Sequence, residues 1–371
     1  MGIMVGLPSP SGSEKDLQLN FGKNMTVQVE MRAPHLPAEW HMQSGIQLTW
    51  PHAGTDWAYM LEEVQECFIR IAKEIAEREL LLIVTPEPEE VKKQISAVVN
   101  MDNVRFLKCA TNDTWARDHG AITMIDTGNP SLLDFTFNGW GLKFAAELDN
   151  QITKQAVESG ALKGQYIDCL DFVLEGGSIE SDGMGTLLTT SECLLSPQRN
   201  GKLNQVEIEE YLKSTFHLQK VLWLDHGYLA GDDTDSHIDT LARFCSTDTI
   251  AYVKCTDKAD EHYEALLAME EQLKTFRTLA GEPYRLLALP MADKIEEDGE
   301  RLPATYANFL ILNEAVLYPT YNQPENDRKA GEVLQQAFPK HQIIGIDCRA
   351  LIKQHGSLHC VTMQYPMGVL K

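Results

Sequence analysis

Cys360 lies in the segment GSLHCVTMQYP, directly after His359. A free cysteine is most often a small buried hydrophobe, but beside a base it becomes a nucleophile. The base could come from GDDTDSHIDTLARF, where Asp232, Asp233, Asp235, His237 and Asp239 crowd ahead of an apolar run. On a strand, His237 and Asp239 would share one face and present a base and an anion together, a pair suited to a cation. Two chemistries fit these residue types. His226, His237 and the nearby carboxylates could hold a hydrolytic metal ion. Alternatively, Cys360 attacks carbon while His237 moves protons and a carboxylate steadies the charge. A calcium loop of the helix-loop-helix kind does not fit, because its turn glycine and distal glutamate are not at their offsets. Further polar candidates are Asp118 after Arg117, Glu175 in LEGGSIESDGMGTLL, and Asn308 in TYANF, with Trp115 and Trp140 as aromatic neighbours.

Elements able to position these groups follow from hydrophobic periodicity. Helical spacing is predicted over 57–78, 88–98, 150–159, 205–216, 258–279 and 327–338. Short strands are predicted at 80–84, 104–109, 120–125, 186–190, 220–224, 250–255, 284–289, 309–313, 315–320 and 342–347. Their order repeats: helix, strand, polar loop, then a second strand turning into a third, with Glu175 in a variant that lacks a clear strand leading in. The polar markers Asp118, Glu175, His237, Asn308 and Cys360 recur roughly every 50–70 residues, at the start of the middle strand. Five such units, unable to bury their apolar faces alone, would pack side by side and bring the markers around one axis.

Composition bounds what the assembled chain could bind. The 371 residues carry 54 acidic and 32 basic side chains, a net charge of −22. Such a surface repels nucleic acid and anionic membranes and favours a small cationic partner. No apolar run reaches the length of a membrane span. The eight cysteines are scattered without paired spacing, as expected in a reducing compartment. Residues 1–30 lack an export or lipidation signal and read as a mobile leader, leaving 31–371 as a single catalytic domain. A homo-oligomer is compatible with these features.

Six segments together carry a family resemblance: PAEWHMQSGIQLTWP, TWARDHGAI, FNGWGLKF, VLEGGSIESDGMGTLL, GDDTDSHIDTLARF and GSLHCVTMQYP. In this order, over roughly 35–368, they resemble the agmatine deiminase and bacterial peptidyl-arginine deiminase family. The resemblance implies an α/β fold, the five-bladed α/β propeller (pentein) of guanidine-modifying enzymes, with pseudo-fivefold repeats around a central site. It implies no metal and no cofactor. It makes Cys360 the nucleophile, His237 the proton carrier and Glu175 the acid that orients His237. Asp118 and Asp239 become the carboxylates that grip the guanidinium, with Trp115, Asn308 and Trp140 in substrate binding. The substrate expected is agmatine, in the cytoplasm, in keeping with putrescine formation. Arginine or a peptidyl-arginine is the alternative within the family. Arg117, Arg199 and Arg243 are the candidate anchors that a free-arginine carboxylate would need. A metal-dependent hydrolase and a non-catalytic cation-binding protein are the readings from other classes. Two departures from the family pattern, His119 and the run His355-Gly356-Ser357, are expected to flank the pocket.

Overall fold

The computed structural model describes residues 34–126 and 129–371, so the leader expected over 1–30 lies outside the described residues. Strands β1 (Gln43–Thr49), β2 (Leu80–Thr85) and β3 (Val104–Lys108) run parallel, linked by helices α1 (Leu61–Ala76) and α2 (Pro88–Ile95). Helix α1 shows why the pattern works. Val64, Phe68, Ile71 and Ile75 recur at helical spacing and are fully buried, while Glu62, Glu63 and Lys73 complement the helix dipole at its two ends. Burying a side chain such as Phe68 contributes roughly 1.5–3 kcal/mol. In β2 the run LLLIVT is covered on both faces, as a central parallel strand requires.

One hairpin-and-crossover pattern then recurs. Strand β4 (Ile122–Met124) pairs antiparallel with β5 (Ser131–Thr136), and helix α3 (Ile152–Glu158) leads to the parallel strand β6 (Gln165–Val173). The same order gives β7 (Ile179–Ser181), β8 (Thr186–Thr190), α4 (Gln205–Phe216) and β9 (Lys220–Leu224). Next come β10 (Ala242–Ser246), β11 (Thr249–Lys254), α5 (Tyr263–Thr275) and β12 (Arg285–Pro290). After a small hairpin of β13 (Glu296–Glu297) and β14 (Glu300–Arg301), the pattern returns with β15 (Leu310–Ile311), β16 (Ala315–Thr320), α6 (Pro324–Ala337) and β17 (Gln342–Asp347). Finally β18 (Thr362–Pro366) pairs antiparallel with β1, completing the first sheet. The repeat predicted from sequence is therefore present in substance but straddles sheets. The strand after each helix closes one sheet, and the two strands that follow open the next. The lead-in missed before Glu175 is β6, whose sparse buried positions, Cys169 and Phe172, hide its strand character. No helix among the described residues is long and apolar enough to cross a membrane.

Candidate active site

Each polar marker sits in the turn just before the antiparallel edge strand of a sheet. Asp118 lies in the helical turn Ala116–His119 before β4, and Glu175 precedes the turn Gly176–Ser178 before β7. His237 and Asp239 flank the start of the turn Ile238–Thr240 before β10, while Asn308 and Cys360 immediately precede β15 and β18. Backbone bonds lace these turns together. The Arg117 N–H donates to the Cys360 carbonyl at 3.1 Å, and the Gly177 N–H donates to Asp118 Oδ1 at 3.0 Å. Asn308 Oδ1 accepts the His359 N–H at 2.8 Å and the Cys360 N–H at 3.3 Å, and lies 3.4 Å from Cys360 Sγ. The alternation argument for His237 and Asp239 fails, because they belong to a 3₁₀ turn and not a strand. Their side chains converge nonetheless. A Cβ on Gly177 would fall 2.6 Å from His237 Nδ1, 2.9 Å from Asp118 Oδ1 and 3.2 Å from Asp239 Oδ2. Only a residue without a side chain leaves this space open.

The polar groups are held from behind. His237 Nδ1 lies 3.6 Å from Asp118 Oδ1 and its Nε2 3.9 Å from Glu175 Oε2. Glu175 is itself gripped by Arg199 Nε, at 3.0 and 2.8 Å from its two oxygens. Asp118 Oδ2 accepts from Trp140 Nε1 at 3.0 Å. Trp140 reaches it through a loop with Gly139, Trp140, Gly141 and Leu142 all at positive φ. Such backbone persists only where surrounding contacts over-determine it. Asp239 Oδ2 lies 2.7 Å from His359 Nδ1, and its Oδ1 is buried without a partner.

Burial and charge set the protonation of the site. Burial alone would lower the His237 pKa, but the Asp118 carboxylate, then Cys193 and Glu175, outweigh burial and raise it well above its usual range. Burial pushes Asp118 up to about 6, with His237 opposing and Asp239 adding to the rise. Asp239 and Glu175 are also raised by burial, yet His359 for the first and His237 with Arg199 for the second bring both below the normal carboxylate range. Cys360 is driven well above the usual thiol range by burial and by the charges of Asp239 and Asp118. The resting group is a thiol awaiting a positive charge.

A narrow pocket leads to Cys360, lined by Trp115, Asp118, Trp140, Phe144, Gly356 and, toward the mouth, Asp56, Asp113, Asp233 and His355. No lysine or arginine lines it among the described residues. Gly356 is packed so closely that a Cβ there would fall 2.0 Å from Trp115 Cζ3. None of the three arginines considered as carboxylate anchors lines the pocket: Arg199 serves Glu175 and Asp235, Arg243 serves Glu39 and Glu180, and Arg117 donates to Gln364 beside a different cavity. Of the departures, His355 borders the pocket and Ser357 Oγ meets Tyr321 Oη at 3.0 Å, whereas His119 does not line it. Buried near Thr49 and Phe137, His119 is kept neutral, its pKa lowered by burial to about 3. His226 is exposed and stands in neither of the two described clusters of metal-type donors, so the metal set drawn from sequence is not assembled.

Sequence reasoning missed the supports. Glu39, Glu180 and Arg243 form a buried network against His359, and Cys193 lies beside Glu175 and His237. Glu39 falls inside the quoted segment PAEWHMQSGIQLTWP and could have been found there; Cys193 carried no local signal.

Comparison with known proteins gives a consistent family. The model of the Porphyromonas-type peptidyl-arginine deiminases matches residues 35–366. A Porphyromonas gingivalis structure provisionally assigned as an arginine deiminase is 51% identical, with TM-score 0.86, covering 91% of this chain and 100% of that one. A substrate-bound C. jejuni agmatine deiminase carrying a Cys-to-Ser replacement is 39% identical, with TM-score 0.84, covering 94% and 100%. A Marinomonas protein provisionally named an agmatine deiminase is 32% identical over 351 residues, 89% of this chain and 94% of its own length.

Proposed function

This chain belongs to the Porphyromonas-type peptidyl-arginine deiminase family, and from that premise we propose that it hydrolyses the guanidinium of agmatine to N-carbamoylputrescine and ammonia. The observation that carries this reading is the convergence of Asp118, Asp239, His237 and Cys360 at the foot of an acidic pocket. A guanidinium is planar, positively charged and rich in N–H donors, so two carboxylates can hold it with its central carbon facing sulfur. Asp56 and Asp233, which also line the pocket, suit the second positive charge of agmatine, and the pocket offers no cation to an arginine carboxylate. Four hairpin-and-crossover sheets, and a fifth in which β18 takes the antiparallel place beside β1, support a five-bladed propeller. The spread of eight buried thiols supports a cytoplasmic setting.

In the mechanism we assign, the substrate cation lowers the cost of ionising Cys360, whose proton passes to solvent, and the thiolate attacks the guanidinium carbon. The tetrahedral adduct expels ammonia as the His237 imidazolium gives up its proton. Neutral His237 then takes a proton from water, the hydroxide adds to the S-linked amidinium, and collapse releases the ureido product and the thiolate while the adduct's hydroxyl proton passes to the departing ammonia or solvent. Asn308 steadies the Cys360 turn, and Trp115 with Trp140 walls the alkyl chain.

The test is to assay agmatine, free arginine and a blocked arginyl peptide side by side, reading ureido product. Agmatine is expected to give the highest kcat/KM. If it is the poorest of the three, the substrate assignment is wrong.

A further inference from the structure

Glu175, Cys193 and His237 bring a carboxylate oxygen, a thiol sulfur and an imidazole nitrogen within 4.8 Å of one another. The residues are 0%, 0% and 1% exposed. Neither ring nitrogen of His237 has a hydrogen-bond partner, an unusual state for a polar group so deeply buried. Cys193 is a free thiol, does not border the substrate pocket and has no part in the reaction described above.

Carboxylate, imidazole and thiolate are the donors that zinc takes, and around a tetrahedral ion they stand about 3.5 Å apart. Closing a set already within 4.8 Å asks for side-chain adjustment only. Arg199 engages both oxygens of Glu175 and lies beside Cys193, but each carboxylate oxygen has a second lone pair, and Asp118 and Asp239 add negative charge beside His237. In the other described donor cluster, Glu39, Glu180 and His359, the Arg243 guanidinium bonds two of the three donors, whereas here Arg199 bonds one.

We propose that Glu175, Cys193 and His237 form a site for one zinc ion, separate from the nucleophile Cys360, and that occupancy silences turnover by removing His237 from proton transfer. The inhibitory consequence rests on the function proposed above; the site itself does not.

The experiment titrates Co²⁺, as a spectroscopic stand-in for zinc, into the full chain and into the Cys360→Ser, Cys193→Ala and Cys193→Ser variants, each checked for folding by circular dichroism. One equivalent is expected to give a thiolate-to-metal charge-transfer band in the unaltered protein and in Cys360→Ser. Both Cys193 variants should lose that band and bind zinc more than about 100-fold more weakly, beyond the roughly 10–100-fold cost of losing a supporting partner. In parallel, zinc inhibition of ammonia release is measured against each protein's own chelator-treated rate, and the Cys193 variants are expected to resist it. A band that survives in the Cys193 variants and vanishes in Cys360→Ser would place the metal on the nucleophile and overturn the proposal, as would absence of any band. A band that follows Cys193 in a protein without deiminase activity would uphold the site and overturn only the functional reading.

Discussion

His359 Nδ1 lies 2.7 Å from Asp239 Oδ2 while its Nε2 lies 2.8 Å from Glu39 Oε2, so the residue next to Cys360 is clamped between two buried carboxylates. Arg243 Nη2 completes the chain at Glu39. This clamp turns Asp239 so that its Oδ1 remains unbonded. In His359→Gln the amide nitrogen can reach only one of the two carboxylates, and Asp239, which lacks the Arg243 bond that Glu39 keeps, is the one exposed to loss. Removing one partner of a buried charged pair typically costs about 3–5 kcal/mol. The KM for agmatine is therefore expected to rise at least tenfold, more than kcat falls, together with a lower Tm. An unchanged KM would show that Asp239 is oriented without His359.

Cys360→Ser is expected to retain agmatine binding, measured by calorimetry, and to lose ureido product formation by more than a thousandfold. The hydroxyl is smaller than the thiol, so it fits the same space, but it is a far weaker nucleophile than a thiolate. Near-normal ammonia release from this variant would end the covalent reading.

Gly177 is the sharpest steric test. Its Cβ would meet His237, Asp118 and Asp239 together, and its φ is not in the left-handed region, so space rather than backbone conformation is at stake. Gly177→Ala is expected to keep a cooperative thermal transition while kcat/KM falls about a hundredfold, the usual cost of misplacing reacting groups by about an ångström.

The acid limb of activity should follow Asp118. With its pKa raised to about 6, it binds a guanidinium as carboxylate above that pH and loses its charge below it. Consequently kcat/KM for agmatine is expected to fall as pH drops through about 6. Asp118→Asn should abolish that limb along with most of the affinity.

Asp149 supplies a stability test away from the pocket. Burial raises its pKa from 3.8 to about 8, although the Asn112 and Asp113 N–H groups donate to it. A carboxyl raised on folding is neutral in the fold and ionised in the unfolded chain between those values. Its contribution is thus fully present below about 3.8 and is lost as pH rises through about 8. The Tm of the unaltered protein minus that of Asp149→Asn is expected to decline steadily across this window. A flat difference would mean that Asp149 is ionised in the fold.

Much of this architecture was legible because local signals were strong. The runs LLLIVT and QIIGID, and the stripe Val64, Phe68, Ile71 and Ile75, gave β2, β17 and α1 close to their observed bounds. The spacing of polar markers anticipated the five turns that the structure brings together. What stayed hidden depends on long-range contact. Strand β6 fully buries only Cys169 and Phe172, so no alternating apolar pattern marks it. The strand expected through His237 is a 3₁₀ turn, with positive φ at Asp235 and Ser236 just before it. Cys193 reaches His237 only through the fold. Trp140 reads as packing until the left-handed loop delivers its indole N–H to Asp118.

The pairing of β18 with β1 closes one sheet from segments at opposite ends of the described chain. Without residues 362–366, β1 offers a bare edge, and the turn bearing Cys360 keeps its bonds to Asn308 and Arg117 but loses the strand that follows it. One short segment, 360–366, therefore carries both the strand that closes the sheet and the sulfur of the proposed mechanism. A chain interrupted before it exposes a strand edge that quality control can recognise, and it lacks the proposed nucleophile.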